Sequence, residues 1–260
     1  MNARAFFSKT VDFILPPRCA VTGTPVDAPG MISADVWAQM RFIDAPFCRL
    51  CGLPFDFLEA EDAEDAENTE DMEMLCGACL DNPPVFDRAR SAFVYQGAGR
   101  DLILAFKHGD RLHLVRALTQ WTMRAGAEIL EKTDTLIPVP LHRRRLWQRR
   151  YNQSALLARA LAEKYPQMIY APEALRRTRA TPPQKGLSRK ERQKNMRRAF
   201  AVPETAAPAA SAAAVLKDKN VTLIDDVFTS GATLNACAAV LKKAGAQNVF
   251  ALTPARVVLE

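Results

Sequence analysis

No stretch of this sequence reaches the ~18 consecutive apolar residues that a membrane-spanning helix needs. The longest uncharged small-residue run in the carboxyl-terminal half, 206–216, has 11 residues and contains Pro208. The amino-terminal apolar residues are broken by Arg4, Lys9 and Asp12, which leaves no clean signal-peptide core. These absences exclude membrane insertion and point to a cytoplasmic protein. Two nucleotide-binding signatures are also missing. There is no Gly-Lys-Ser/Thr phosphate loop and no GxGxxG dinucleotide fingerprint. What is present is the composition of an ordinary globular protein, 48% hydrophobic and 25% charged over 260 residues. That excludes fibrous and wholly disordered classes and leaves room for one or two domains.

The net charge of +6 is unevenly spread. Residues 59–73 hold nine acidic side chains and no basic one, and read as a disordered loop because like charges repel and little there can be buried. A screen that competes with nucleic acid for the basic face is the alternative. Between Leu141 and Arg198 there are 17 Lys or Arg against Glu163, Glu173 and Glu191. Such a segment suits a polyanion, or is simply a solvated surface. Aromatic interleaving, which single-strand binding favours, is thin there: only Trp147 and Tyr151 lie amid the central arginines.

Six cysteines occur, and four form two CxxC pairs, Cys48/Cys51 and Cys76/Cys79. Two intervening residues let both sulfurs of a pair turn toward one tetrahedral ion. The pairs are 24 residues apart, and the acidic run supplies 15 of them. The spacing therefore predicts a zinc ribbon whose connecting loop carries an acidic insertion, with Zn2+ in a structural role. A redox pair or disulfides are the alternatives, and a cytoplasmic chain disfavours the latter. Cys19 has Thr22 where a partner would stand and reads as a small apolar filler, as does Cys237 at an apolar helical spacing.

Along the chain, Phe7, Val11 and Ile14 suggest a short amphipathic helix ended by Pro16 and Pro17. A cysteine module follows, and the pattern changes near Val85. Residues 91–97 read as a strand, 100–109 as a helix stopped by Gly109, and 112–132 as one longer amphipathic helix. Thereafter strands and helices alternate. TLIPVPL at 135–141 is a strand, and SALLARALAEKY is a helix with Ser154 as its candidate cap. Strands at 173–180 and 196–202 flank a basic loop. Residues 203–214 are a low-complexity surface loop. VTLIDDV is a buried strand, followed by a helix from Leu234 to Ala244 and a last strand at 248–258. Alternation of this kind predicts a parallel α/β sheet. No internal repeat is evident beyond the two CxxC pairs.

VTLIDDVFTSGAT, 221–233, is the most informative segment. An apolar strand ends in Asp225 and Asp226, and Thr229, Ser230, Gly231, Ala232 and Thr233 then open a helix. A helix amino terminus offers unpaired N–H groups and partial positive charge to a phosphate. Gly231 allows close backbone approach. The paired carboxylates suit vicinal sugar hydroxyls and would repel a second phosphate. The segment reads as a ribose 5-phosphate site at the carboxyl edge of a parallel sheet, or as a capped helix after a strand with solvated acids.

This segment resembles the phosphoribosyl pyrophosphate (PRPP) motif of type I phosphoribosyltransferases. The chain as a whole resembles the ComF family, which joins a cysteine-rich module to such a domain. The resemblance runs through LPPRC (15–19), CRLCGLPF (48–55), CGAC (76–79), AFKHGDR (105–111), IPVPLHRRRLWQRRYNQS (137–154) and RTRATPPQKGLSRKERQKNMRRAF (177–200). It implies a type I phosphoribosyltransferase-like parallel sheet flanked by helices over 81–260, behind a zinc-ribbon module over 1–80. It implies PRPP and Mg2+ as ligands, and phosphoribosyl transfer to an unidentified acceptor. Asp225 and Asp226 would be the catalytic pair, and 229–233 the 5-phosphate cradle. Leu141, His142 and Arg143 would hold pyrophosphate. Asn152 and Gln153 would meet base or sugar, with a helix-capping cluster as the alternative. Gln184, Arg189, Arg192 and Asn195 would belong to a cover loop, with a basic surface loop as the alternative. Some members serve DNA uptake in natural transformation, so single-stranded DNA and uptake-machinery proteins are the implied partners. A single-strand-binding protein with a non-catalytic PRPP pocket is the competing reading. The chain departs from the family pattern at Cys19/Thr22 and at ISADV, 32–36, where further cysteine pairs are expected. The acidic run and the Ala/Pro-rich stretch are insertions.

Overall fold

Charge-poor apolar segments pair edge to edge, because strands covered on both faces need no polar side. A computed structural model describes residues 16–28, 30–55, 74–108, 111–141, 146–147, 151–178, 199–203 and 212–258. The amino-terminal helix, the acidic run, the 181–195 loop and residues 204–211 lie outside these residues. The strands are β1 (Arg88–Val94), β2 (Thr135–Pro138), β3 (Ile169–Tyr170), β4 (Arg176–Arg177), β5 (Phe200–Ala201), β6 (Asn220–Ile224), β7 (Val227–Phe228) and β8 (Asn248–Arg256). The helices are α1 (Ala34–Ala38), α2 (Gly77–Asp81), α3 (Gly97–His108), α4 (Leu114–Ala125), α5 (Ala127–Leu130), α6 (Gln153–Lys164), α7 (Ala212–Leu216) and α8 (Ala232–Lys243).

A six-stranded sheet runs in the order β1-β8-β6-β2-β3, with β7 also on β8. All its pairings are parallel. β7 continues the register of β6 on β8, since Ile224 faces Leu252 and Val227 faces Ala255. The two are one strand interrupted at Asp225 and Asp226. β4 and β5 form a separate antiparallel ladder.

Alternation along each strand sends side chains to two cores. Val221, Leu223, Val249 and Ala251 face one side, together with Leu234, Cys237, Ala238 and Leu241 of α8. Ile224, Phe250 and Leu252 face the other, against Leu102 and Phe106 of α3, Leu114 and Leu118 of α4, and Leu157 and Leu161 of α6. This is the parallel α/β sheet flanked by helices that the sequence implies.

The structure corrects several element boundaries. Residues 112–132 are two helices, with Gly126 between α4 and α5. A Cβ at Gly126 would stand 2.4 Å from Leu252 Cδ2, so the sheet packs directly on the backbone there. The cap of α6 is Asn152, whose side chain accepts from Ser154 N at 3.1 Å, so Ser154 lies inside the helix. The end of the Ala-rich stretch is helical, as α7. β3 had no clear sequence signal, being two residues on the edge of the sheet.

Gly126→Ala tests the close approach. Leu252 is fully buried, so its side chain would have to shift within a packed core to admit a Cβ. Overpacking should destabilise the fold by about 1–3 kcal/mol, read as a fall in Tm by scanning calorimetry. An unchanged Tm would show that the contact yields freely.

Candidate functional site

The crevice between β2 and β6 follows from the winding of the sheet. From β2 the chain passes through α6 to β3 on one side, and from β6 through α8 to β8 on the other. Open α/β sheets take ligands at such a reversal, outside the carboxyl ends of the strands. β2 and β6 stay paired as far as Pro138 and Ile224, and Val139 N donates to Ile224 O at 2.8 Å. Beyond that point Asp225 N turns to Leu252 O on β8.

Asp225 and Asp226 sit at this divergence. Asp225 Oδ1 accepts from Ser154 Oγ at 3.0 Å and from Asp226 N at 2.9 Å. Asp226 Oδ2 lies 3.0 Å from Lys107 Nζ, at the end of α3, in a largely enclosed ion pair. Burial first, and the neighbouring Asp226 charge second, push the Asp225 carboxyl up to about 7. Lys107 stands against the Asp226 side of the pair, and its charge favours the ionised form of Asp225 as well.

The segment after the acids forms the expected loop and helix start. Thr229 is exposed, Ser230 and Thr233 are half-buried, and Gly231 and Ala232 are buried. Gly231 has φ 73°, the left-handed region that glycine adopts freely. Its missing Cβ would stand 3.0 Å from Phe228 Cζ. α8 begins at Ala232, two residues before Leu234, so Thr233 lies in its first turn. The Ser230 hydroxyl is buried and finds no hydrogen-bond partner among the described residues. An orphaned donor beside the unpaired amides of a helix start is suited to an anion.

The remaining site candidates divide. Leu141 follows β2, half-buried, on the β2 side of the crevice. Asn152 Nδ2 donates to Val139 O at 3.1 Å while its Oδ1 caps α6. Gln153 is 1% exposed and donates to Lys107 O at 3.3 Å. Both residues thus brace the crevice wall, the geometry of a capping cluster. His142, Arg143, Gln184, Arg189, Arg192 and Asn195 lie outside the described residues. Two further residues touch the acids without a local signal for that role in the sequence, Lys107 and Ser154. Lys107 lies in AFKHGDR, so the family resemblance was the one signal available for it.

The cysteine pairs meet as their spacing predicts. The ligand atoms of Cys48, Cys51, Cys76 and Cys79 all lie within 4.8 Å of one another, and all four residues are buried. Four thiolates at that separation fit a closed, tetrahedral zinc site. Cys48 N bonds Leu53 O at 2.7 Å, Gly52 N bonds Cys48 O at 2.8 Å, and Cys76 caps α2. Gly52 has φ 69°, and a Cβ there would meet Ala89 O at 2.7 Å. Ala89 N donates to Leu50 O at 2.8 Å, which stitches the knuckle to β1. Four thiolates outweigh a divalent ion by two charges, and Arg256 offsets one of them. Its Nη2 donates to Cys51 Sγ at 3.5 Å, its Nη1 bonds Cys51 O, and its guanidinium lies 4.3 Å from the Phe228 ring centroid.

Fold and cysteine site together define a zinc ribbon joined to a parallel α/β domain. Residues 10–80 match the double zinc ribbon domain. Competence protein F of Haemophilus influenzae is 28% identical over 220 residues, spanning 81% of this chain and 85% of that protein. DNA utilization protein YhgH of Salmonella typhimurium is 30% identical over 179 residues, 67% of this chain and 74% of that one. YhgH of Escherichia coli K12 is 28% identical over 211 residues, 79% and 82% respectively. The chain belongs to this family of competence protein F and YhgH, the ComF family. Two solved structures resemble part of it. Glutamine PRPP amidotransferase from B. subtilis matches at TM-score 0.33 and 19% identity over 55% of this chain and 27% of that one. A purine phosphoribosyltransferase from Pyrococcus horikoshii matches at TM-score 0.29 and 16% identity over 56% and 82%. The fold class stands on the sheet topology itself.

Asp225→Asn tests the electrostatics. Asn can still accept from Ser154 and Asp226 N, but carries no charge to repel Asp226. Because the folded-state pKa of Asp225 is raised, the native chain holds a proton that the unfolded chain gives up between about pH 4 and 7. Stability from this group is present at low pH and lost as pH rises through about 7. The variant should therefore melt higher than wild type at pH 8, with the gap closing toward pH 5. A gap that is absent, or that widens at low pH, would contradict the shift.

Proposed function

We propose that the chain binds PRPP with Mg2+ in the crevice between β2 and β6, and transfers its phosphoribosyl group to an acceptor in the service of DNA use. The observation that carries this reading is the buried, unpartnered Ser230 hydroxyl at the start of α8, next to the acid pair at the sheet's winding reversal. The 5-phosphate would take the amides and hydroxyls of 229–233. The ribose hydroxyls would donate to Asp225 and Asp226, replacing water on carboxylates that already accept from Ser154 and pair with Lys107.

Magnesium fits the site as an ion carried by the substrate. It favours oxygen ligands and keeps several waters, and two carboxylates alone do not enclose it. When bound, it would supply charge neutralisation to the departing pyrophosphate. The chain's own part is positioning and charge stabilisation as the anomeric carbon becomes cationic. Leu141, His142 and Arg143 would hold the pyrophosphate, and Gln184, Arg189, Arg192 and Asn195 would close over it and exclude water. Asn152 and Gln153 would fix the wall from behind. DNA use enters from the relatives, named as competence and DNA utilization proteins.

A second reading has one observation in its favour, the 17 basic residues between Leu141 and Arg198. There the chain binds single-stranded nucleic acid, and the pocket is not catalytic.

Calorimetric titration of Mg-PRPP separates the two. Wild-type chain should bind in the micromolar range, and Asp225→Ala/Asp226→Ala should bind at least 100-fold more weakly. Affinity should rise from pH 6 to pH 8, because the ionised Asp225 accepts the ribose hydroxyls better than its protonated form. Absence of binding by folded, zinc-loaded chain would overturn the proposal. Steeply salt-dependent single-strand binding that survives the double substitution would support the second reading.

A further inference from the structure

The amino-terminal half of the cysteine module, the first ribbon, repeats the backbone of the Cys48–Cys79 ribbon, the second, though not its sequence. Cys19 N bonds Thr24 O at 2.7 Å, and Cys48 N bonds Leu53 O at 2.7 Å. Gly23 N bonds Cys19 O at 2.9 Å, and Gly52 N bonds Cys48 O at 2.8 Å. The two glycines share a left-handed φ, 74° and 69°. Isolated bridges close both knuckles, Arg18 with Pro25 and Phe47 with Pro54. Val26 N bonds Pro17 O just as Phe55 N bonds Pro46 O.

The other half of each ribbon matches too. Ser33 caps the five-residue α1 at φ −66°, ψ 156°, and Cys76 caps the five-residue α2 at φ −72°, ψ 152°. Trp37 N bonds Ser33 O at 2.9 Å, and Leu80 N bonds Cys76 O at 3.1 Å. Ten residues separate Thr22 from Ser33, close to the interval between Cys51 and Cys76 once the acidic run is set aside. The repeat thus places Cys19, Thr22, Ser33 and Val36 where the second ribbon has Cys48, Cys51, Cys76 and Cys79.

Those four side chains do not make a zinc site. They offer one thiol, two hydroxyls and an isopropyl group, where tetrahedral zinc takes four thiolate or imidazole donors. Val36 is 2% exposed and lies with Cys19 in the apolar cluster that includes Phe93, Leu102 and Leu114. Hydrogen bonds occupy the place of the ion. Ser33 Oγ donates to Cys19 Sγ at 3.6 Å, and Thr22 Oγ1 lies 3.4 Å from Ser33 Oγ. The matching edge of the second ribbon, Cys51 Sγ to Cys76 Sγ, is 3.7 Å. The knuckle keeps its thiolate-binding character. Burial opposes a charge on Cys19, yet hydrogen bonds from Thr22 and from backbone at Thr22, Ser33 and Val21 hold it down to about 6.

We infer that the first ribbon of this chain is a metal-free fold, in which the Cys19–Ser33–Thr22 hydrogen bonds and buried Val36 replace the ion. The chain then takes one zinc rather than the two that a double zinc ribbon implies. The first ribbon depends on no ion that a chelator can remove, and the second does.

Elemental analysis of zinc-reconstituted, full-length chain tests this. One zinc per chain is expected in the wild type, and one in Cys19→Ala. Thr22→Cys/Ser33→Cys/Val36→Cys should restore the missing donors and take two. Two zincs in the wild type, with one lost in Cys19→Ala, would overturn the inference. A folded triple variant that still takes one would overturn the structural correspondence. Should the triple variant not fold, the wild-type count and Cys19→Ala decide the matter between them.

Discussion

β2 and β6 cannot both continue as paired strands and leave room for a ligand. They part after Pro138 and Ile224, and everything at the candidate site depends on that divergence. On the β8 side the backbone keeps its ladder, through Asp225 N to Leu252 O and on into β7. One wall of the crevice is therefore fixed by the sheet. The other is fixed by Asn152 and Gln153, which tie the start of α6 to Val139 and to Lys107. Two carboxylates are held between these walls against their mutual repulsion. Lys107 opposes one charge, and Ser154 with the Asp226 amide steadies the other. A site that keeps like charges adjacent gives up some stability, as strained ligand sites commonly do.

The zinc ribbon is joined to the same region by specific contacts. Arg256 ends β8, faces Cys51 Sγ, and lies over Phe228 of β7. Phe228 in turn packs edge-on against Phe86 and underlies the missing Cβ of Gly231. Charge compensation at the cysteines and packing beneath the helix start thus share one arginine and one phenylalanine. The first ribbon attaches to the opposite face, where Trp37 and Phe42 meet Trp121 of α4. One half of the module rests on a thiolate site and the other on hydrogen bonds and apolar packing.

Much of this was legible in the sequence, where the chemistry is local. The CxxC pairs announced their own convergence, because two intervening residues leave few other geometries. VTLIDDVFTSGAT announced a strand, an acid pair and a helix start in consecutive residues. What depended on distant residues was not legible. Nothing near Lys107 says that it meets Asp226, and Ser154 looks like a cap until Asn152 is seen to take that place. Gly126 broke an otherwise amphipathic helix because Leu252, far along the chain, fills the space. The family resemblance marked 19–22 and 32–36 as places where cysteine pairs are missing, but the backbone bonds that make the two ribbons alike are invisible in sequence.

The most direct test of the central claim is a crystal structure of the chain with ribose 5-phosphate and Mg2+. The account predicts the phosphate at the start of α8, within hydrogen-bond distance of Ser230 Oγ, and ribose hydroxyls on Asp225 and Asp226. A sugar phosphate bound elsewhere, or a crevice still filled by water at saturating ligand, would contradict it.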